Sequence, residues 1–186
     1  MPDTDLTLAR TGGRALSRIV YSEERIAARV REMGREISAA YPDGEKLLVL
    51  GLLKGSFIFL SDLVREITRP LHVDFLVASS YGSGTTSSGH VQLLYDPNAE
   101  FAGKHVILVE DIVDSGTTLS RLIPVLEERG PASLEICTLL HKHIATSLIR
   151  EPRWVGFDAP HEFLIGYGLD HSEDYRNLPF IGSLPS

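Results

Sequence analysis

One stretch of the 186-residue chain constrains its fold more than any other: residues 106–118, Val-Ile-Leu-Val-Glu-Asp-Ile-Val-Asp-Ser-Gly-Thr-Thr. It begins as a continuous apolar run, and a run without alternation is what a strand buried on both faces of a parallel sheet looks like. Glu110 and Asp111 close that run, Asp114 follows, and Ser115-Gly116-Thr117-Thr118 opens a segment with helical periodicity. Strand, acidic tip, hydroxyl-rich loop and helix, in that order, describe a ligand crevice at the carboxyl end of a sheet strand.

The flanking sequence supports such a sheet. Residues 1–18 are polar and unpatterned and are expected to form a loose N-terminal arm. Ser22 before Glu23 and Glu24 is a helix cap with acidic residues in the first turn. Ile26, Val30, Met33 and Ile37 mark that helix's buried face, and Tyr41-Pro42-Asp43-Gly44 ends it. Strands are expected at 46–53, 73–80, 91–95, 134–140, 154–157 and 163–167. Helices are expected around Phe57, Leu60, Leu63, Val64 and Ile67, and around Leu119, Leu122, Ile123 and Leu126, the latter closed by Gly130-Pro131. Residues 81–90, Tyr-Gly-Ser-Gly-Thr-Thr-Ser-Ser-Gly-His, have no apolar anchor and are expected to be mobile. Strands alternating with helices, with no repeat and no linker, predict a single α/β domain over 1–186 with a mainly parallel sheet flanked by helices.

Composition narrows the partners. A net charge of -7 argues against a general nucleic-acid binder. It leaves room for an anionic small ligand, because local donors and a metal outweigh the global field. The first twenty residues carry Asp3, Asp5, Arg10, Arg14 and Arg18, so no signal-peptide core is expected. No apolar stretch approaches the roughly 18–20 residues that span a membrane, and a cytoplasmic protein is expected. The single cysteine, Cys137, lies in an apolar run, so core packing outweighs a nucleophile pair with His141 or His143.

The loop after the central run has its own chemistry. Gly116 permits close backbone approach or positive φ. Ser115, Thr117 and Thr118 add hydroxyl donors to the N–H groups of a helix N-terminus, which suits a phosphate monoester. The loop is neither a Walker loop, lacking the Gly-Lys-Ser/Thr ending, nor a Rossmann fingerprint. Alone, Asp-Ser-Gly-Thr-Thr reads more simply as a turn and helix cap. The neighbouring Glu110-Asp111 changes the balance. Carboxylates repel a phosphate unless they face vicinal hydroxyls or a divalent cation intervenes. Phosphate at one end and a diol nearby describe a ribose 5-phosphate.

At this point the run 106–118 resembles the phosphoribosyl-pyrophosphate (PRPP) motif of the type I phosphoribosyltransferases. From about Tyr21 to Ile181 the chain is similar to their 6-oxopurine branch, the hypoxanthine–guanine phosphoribosyltransferases. The likeness also rests on residues 51–57 (Gly-Leu-Leu-Lys-Gly-Ser-Phe), 73–75, 79–82, 138–142 (Thr-Leu-Leu-His-Lys), 155–157, 163–170 (Phe-Leu-Ile-Gly-Tyr-Gly-Leu-Asp) and 175–179 (Tyr-Arg-Asn-Leu-Pro). It implies the type I fold, a twisted, mainly parallel sheet with a small hood formed by N- and C-terminal segments. It further implies purine salvage: transfer of the 5-phosphoribosyl group from PRPP to N9 of a 6-oxopurine base. Hypoxanthine or guanine would give the nucleoside monophosphate IMP or GMP, with pyrophosphate as the other product. Mg2+ is the implied cofactor and a homodimer or homotetramer the implied assembly.

The resemblance also assigns roles. Glu110 and Asp111 bind the ribose hydroxyls with Mg2+. Asp114, at the loop's mouth, is the general base, and a helix-capping role is its plainer reading. Ser115, Gly116, Thr117 and Thr118 take the 5′-phosphate. Leu53, Lys54 and Gly55 form the pyrophosphate loop, with a cis peptide between Leu53 and Lys54. Lys142, a donor only, meets the base's carbonyl oxygen and would face adenine's amino group unpaired. Phe163 stacks on the purine and the Leu164 backbone touches its edge. Asp170 meets a second Mg2+, and Arg176 meets pyrophosphate. Ser80 and Tyr81 ride on the 81–90 segment, which is read as a lid that closes over a reactive sugar cation.

Three departures stand out. His141 replaces the family's common Asp before the lysine. His143-Ile-Ala-Thr-Ser147 replaces Pro-Arg after it, with no arginine until Arg150. His171 replaces an aromatic after Asp170. Two other functions stay open on the sequence: a xanthine-preferring phosphoribosyltransferase, and a PRPP-sensing regulator that binds nucleic acid. The presence of Asp114, Lys142, Phe163 and Asp170 together with the acidic charge speaks for the enzyme.

Overall fold

The computed structural model describes residues 8–79, 92–95, 97, 99–143 and 148–185. The proposed lid over 81–90, with Ser80 and Tyr81, lies outside the described residues, as do residues 1–7 of the arm.

After β1 (Arg18–Tyr21) the chain enters α1 (Glu23–Ala40), whose N-terminus is capped by the Ser22 side chain accepting from the Arg25 N–H. There follow β2 (Leu47–Leu53), α2 (Phe57–Glu66), β3 (Leu71–Ser79), β4 (Gln92–Tyr95), β5 (His105–Val113), α3 (Thr117–Glu127), β6 (Ser133–His141) and β7 (Trp154–Asp158). Six strands form one sheet in the order β4-β3-β2-β5-β6-β7, antiparallel only between β3 and β4. The expected mainly parallel sheet is present, with β5 at its centre.

Burial on both faces explains the unbroken apolar runs. Val49, Ile107, Val109, Cys137 and Leu139 pack with α1 and α2 on one face. Leu48, Leu50, Val106, Leu108 and Ile136 pack with Leu119, Leu122 and Leu126 of α3 on the other. On the α1 and α2 face Cys137 is fully buried, and burial pushes its thiol pKa far up, so it behaves as core.

The carboxylates Glu110 and Asp111 do not end the central strand, which corrects the sequence reading. β5 runs on to Val113, pairing Glu110 with Thr138 and Ile112 with Leu140 of β6, whereas its ladder to β2 stops at Gly51–Val109. One flank of β5 is therefore released while the other stays in the sheet. Because side chains alternate across a strand, Glu110 and Asp111 leave on opposite faces.

A second, three-stranded antiparallel sheet joins the chain's ends in the order β1-β9-β8, with β8 at Leu164–Ile165 and β9 at Ile181–Ser183. Ser183 of β9 pairs with both Arg18 and Leu164. Ile165, Tyr175, Leu178 and Phe180 form its small core, against which Leu16 and Ile19 pack. This is the expected hood. The arm expected to be loose is instead tied to the hood from Arg14 onward: Arg14 donates to the Tyr175 hydroxyl at 3.1 Å, and the Ser17 N–H donates to the Ser183 carbonyl at 2.9 Å. The strand expected over 163–167 shrinks to two residues because Gly166 (φ 97) and Tyr167 (φ 51) turn the backbone left-handed. The Tyr167 hydroxyl donates to the Asp62 carboxylate of α2 at 2.6 Å, fastening hood to main body.

Candidate active site

The carboxyl edge of the sheet gathers most of the predicted residues, for a topological reason. The segments after β2, β5 and β6 all leave the sheet at the same edge, and the hood folds over it.

Two adjoining pockets open there. One is lined by Glu110 and residues 112–119. Gly116 caps α3 in the left-handed conformation (φ 73), a position that favours glycine. Ser115 Oγ and Thr117 Oγ1 lie 3.0 Å apart, and Ser115 Oγ also accepts from the Thr117 N–H at 3.4 Å. The following N–H groups of the first turn, which have no intrahelical acceptor, keep their donor capacity towards the pocket.

The other pocket is lined by Asp111, Ile112, Asp114, Lys142, Glu162, Phe163, Leu164, Leu169 and Asp170. Phe163 is 55% exposed despite its size, and its ring meets His171 edge-on at 5.3 Å. It is therefore not the core residue that a strand-initiating aromatic suggests. Leu164 is buried in β8. Lys142 Nζ donates to Asp114 Oδ2 at 3.0 Å. Its own N–H bonds the Val113 carbonyl at 3.0 Å, so the lysine is held at the end of β5. Asp114 and Ile112 line both pockets.

Glu110 and Asp111 serve different pockets, as their opposite faces require. The Glu110 Oε2 atom is buried with no hydrogen-bond partner among the described residues. Burial, and secondarily the Asp111 charge, push its pKa well above the carboxylate range. Burial also raises the pKa of Asp111, partly offset by the Ile112 N–H that it accepts at 2.9 Å. Asp111 Oδ2 lies only 1.6 Å from where a side chain on Gly55 would begin. Gly168 (φ +102) stands against the Gly55 carbonyl in the same way, at 2.0 Å. Glycine at both positions lets the loop after β2 slot between β5 and the hood.

That loop carries a cis peptide between Leu53 and Lys54, as the resemblance implied. Lys54 Nζ pairs with Glu173 Oε1 at 3.1 Å. The Arg176 guanidinium reaches Asp170 Oδ1 at 2.8 Å and Glu173 Oε2 at 3.2 Å, and it donates to the Gly168 carbonyl at 2.8 Å. Lys54, Gly55, Asp170 and Arg176 thus lie together at this edge. Glu173 joins them without having been singled out, because an exposed glutamate in a turn carries no distinguishing sequence signal. Gly168 and Ile112 were also missed, although both lie inside quoted motifs.

Of the three departures, His171 reaches the second pocket through its edge-on contact with Phe163, His141 and His143 line neither pocket, and residues 144–147 lie outside the described residues. His143 pairs with Asp158 at 2.6 Å and stacks obliquely on His141 at 4.0 Å. Arg150 bonds the Glu127 carboxylate at 2.6 Å and the Leu134 carbonyl at the opposite end of β6, so it does not stand in for the family's arginine. No helix among the described residues is long and apolar enough to cross a membrane.

Residues 18–172 match the family model of the phosphoribosyl transferase domain. The hypoxanthine phosphoribosyltransferase of Salmonella typhimurium is 45% identical over 167 residues, covering 89% of this chain and 94% of that protein. A bifunctional TilS/HprT protein of Listeria innocua is 44% identical over 169 residues, which cover 91% of this chain but only 26% of the longer protein. Among solved structures, a hypoxanthine phosphoribosyltransferase of Staphylococcus aureus aligns with a TM-score of 0.88 at 39% identity, covering 98% of this chain and 97% of the other. Motif, fold, pocket placement and likeness over nearly the whole length agree: the chain belongs to the phosphoribosyltransferase family, among its hypoxanthine phosphoribosyltransferases.

Proposed function

We propose that this protein transfers the 5-phosphoribosyl group of PRPP to N9 of hypoxanthine or guanine, releasing pyrophosphate and IMP or GMP. The observation that carries the reading is the position of Asp114, on the border of both pockets and 3.0 Å from Lys142. In a 6-oxopurine the carbonyl oxygen and the imidazole N7 lie side by side on one edge. Lys142 donates to the oxygen while the Asp114 carboxylate accepts the N7 proton. That transfer makes N9 nucleophilic as the N9–C1 bond forms and the C1–oxygen bond to pyrophosphate breaks. Adenine presents an amino donor where the ammonium needs an acceptor, so it is rejected. Phe163, exposed at the pocket rim, stacks on the purine, and the Leu164 backbone meets its edge. Ser115, Gly116, Thr117 and Thr118 hold the 5′-phosphate, and Leu53, Lys54, Gly55 and Arg176 hold pyrophosphate. The sugar passes through an oxocarbenium-like state, which the carboxylate-lined floor favours.

The donor set fits Mg2+. Glu110, Asp111 and Asp170 offer only hard oxygen ligands, and the buried Glu110 Oε2 has no hydrogen-bond donor among the described residues. No cluster of three metal-ligating side chains exists among the described residues. This matches the habit of Mg2+, which takes one or two carboxylates and completes its shell with substrate oxygens and water. Once bound, the ion shields the polyanion and improves pyrophosphate as a leaving group. A homodimer or homotetramer is part of the proposal, and the exposed Phe57, Val73 and Phe75 are apolar surface for it. A monomer in sedimentation equilibrium would remove that element.

The test is a substrate panel: PRPP and Mg2+ with hypoxanthine, guanine, xanthine or adenine, following nucleotide formation. Turnover with hypoxanthine or guanine and none with adenine is expected. Turnover of xanthine alone would shift the assignment, and no turnover with any 6-oxopurine would overturn it.

A further inference from the structure

The two cations assigned to pyrophosphate are already bridged by one anion of the chain itself. Glu173 Oε1 is 3.1 Å from Lys54 Nζ, and Oε2 of the same carboxylate is 3.2 Å from the Arg176 guanidinium. Two oxygens, one on each cation, is how one end of a pyrophosphoryl group would be held. The placement is specified by the backbone rather than left to a loose side chain. Ser172 (φ 56) and Glu173 (φ 71) are non-glycine residues in the left-handed region. The turn is closed by reciprocal backbone bonds between His171 and Asp174, and the Glu173 N–H donates to Asp170 Oδ2 at 2.9 Å. Asp170 in turn pairs with Arg176 at 2.8 Å. Yet the Lys54 and Glu173 side chains are each 65% exposed, so the bridge is weak enough to open.

We propose that Glu173 is an internal competitor for the pyrophosphate subsite, a carboxylate that ties Lys54 to Arg176 and must be displaced when PRPP enters and can return as pyrophosphate leaves. The inference rests on the reading of Lys54 and Arg176 as the pyrophosphate grip. It gives Glu173 a role in setting affinity rather than in the chemistry. Displacing it costs binding energy on entry, and its return hastens product release. Both effects are modest, because exposed ion pairs are.

The test compares Glu173→Gln, which keeps size and removes charge, with Asp174→Asn, which removes the same charge one residue away. Pyrophosphate is titrated calorimetrically into each protein with Mg2+ present, and KM for PRPP is measured alongside. Glu173→Gln should tighten pyrophosphate and lower KM for PRPP by about 2–10-fold, the range that breaking exposed pairs allows. Asp174→Asn should change neither by as much as twofold. Unchanged pyrophosphate affinity in Glu173→Gln overturns the proposal, as does an equal shift in both variants, which would reduce the effect to net charge. The titration needs no turnover. An inactive wild type whose pyrophosphate affinity still rises in Glu173→Gln would sink the enzymatic reading and leave this one standing.

Discussion

The phosphate loop draws all its groups from residues 114–118, one uninterrupted stretch, whereas the pyrophosphate grip joins Lys54 to partners as far as 119 residues away. In the loop, a strand's end hands over directly to a helix N-terminus where the loop's own Ser115 hydroxyl takes the Thr117 N–H and the N–H groups that follow have no intrahelical acceptor. In the grip, every cation already has a carboxylate partner from the same chain. A local site can leave its donors open to a ligand, because the helix holds their geometry in place. A site assembled from distant segments needs internal contacts to hold it together, and those contacts compete with the ligand.

Asp114 stands at the seam of the two pockets, and its loss should be the largest effect. Asp114→Asn is expected to lower kcat by roughly 10–10⁴-fold, the span of general acid–base groups, while KM for PRPP moves little. Wild-type turnover in steady-state assays would remove Asp114 from the reaction. Next comes Lys142→Ala, for which kcat/KM with hypoxanthine should fall about 10–100-fold, as for a lost hydrogen bond to a charged group. A smaller loss for hypoxanthine than for PRPP would move Lys142 out of the base pocket.

The grip should be the more fragile half. Gly55→Ala forces a methyl group into the Asp111 carboxylate, and overpacking of this kind typically costs about 1–3 kcal/mol. That corresponds to a fall in Tm of roughly 2–4 °C per kcal/mol in a chain of this size. Ser115→Ala in the phosphate loop should stay within about 0.5 kcal/mol. Equal melting shifts in the two variants would contradict the contrast. The smallest effect concerns Glu110, whose folded-state pKa lies above its unfolded value. The native state therefore holds the extra proton. Its stabilising contribution is complete below the unfolded pKa and disappears as pH rises through the folded one. Glu110→Gln should thus melt higher than wild type at neutral pH, and the gain should vanish in acid near the ordinary carboxylate pKa. A variant melting lower at neutral pH would show that the buried carboxylate has a stabilising partner.

How much was legible in advance follows the same division. Residues 106–118 announced strand, carboxylates and phosphate loop because all the parts are contiguous and apolar burial marks the strand. The hood was visible only through family resemblance: β1 and β9 are too short to show a period of two, and their pairing joins the chain's ends. That Glu110 and Asp111 serve separate pockets was hidden because β5 continues past them on the support of β6 alone. Glu173 was hidden because its significance lies in which cations a left-handed turn brings to it.

The central claim is that the two pockets meeting at Asp114 form one site for a nucleoside monophosphate. Equilibrium titration of IMP tests it most directly, using wild type, Ser115→Asp in the phosphate loop and Lys142→Ala in the base pocket. IMP affinity should fall about tenfold or more in each variant, since each removes or repels a charged contact. IMP binding as tight as wild type in either variant would mean that the two pockets do not share one ligand.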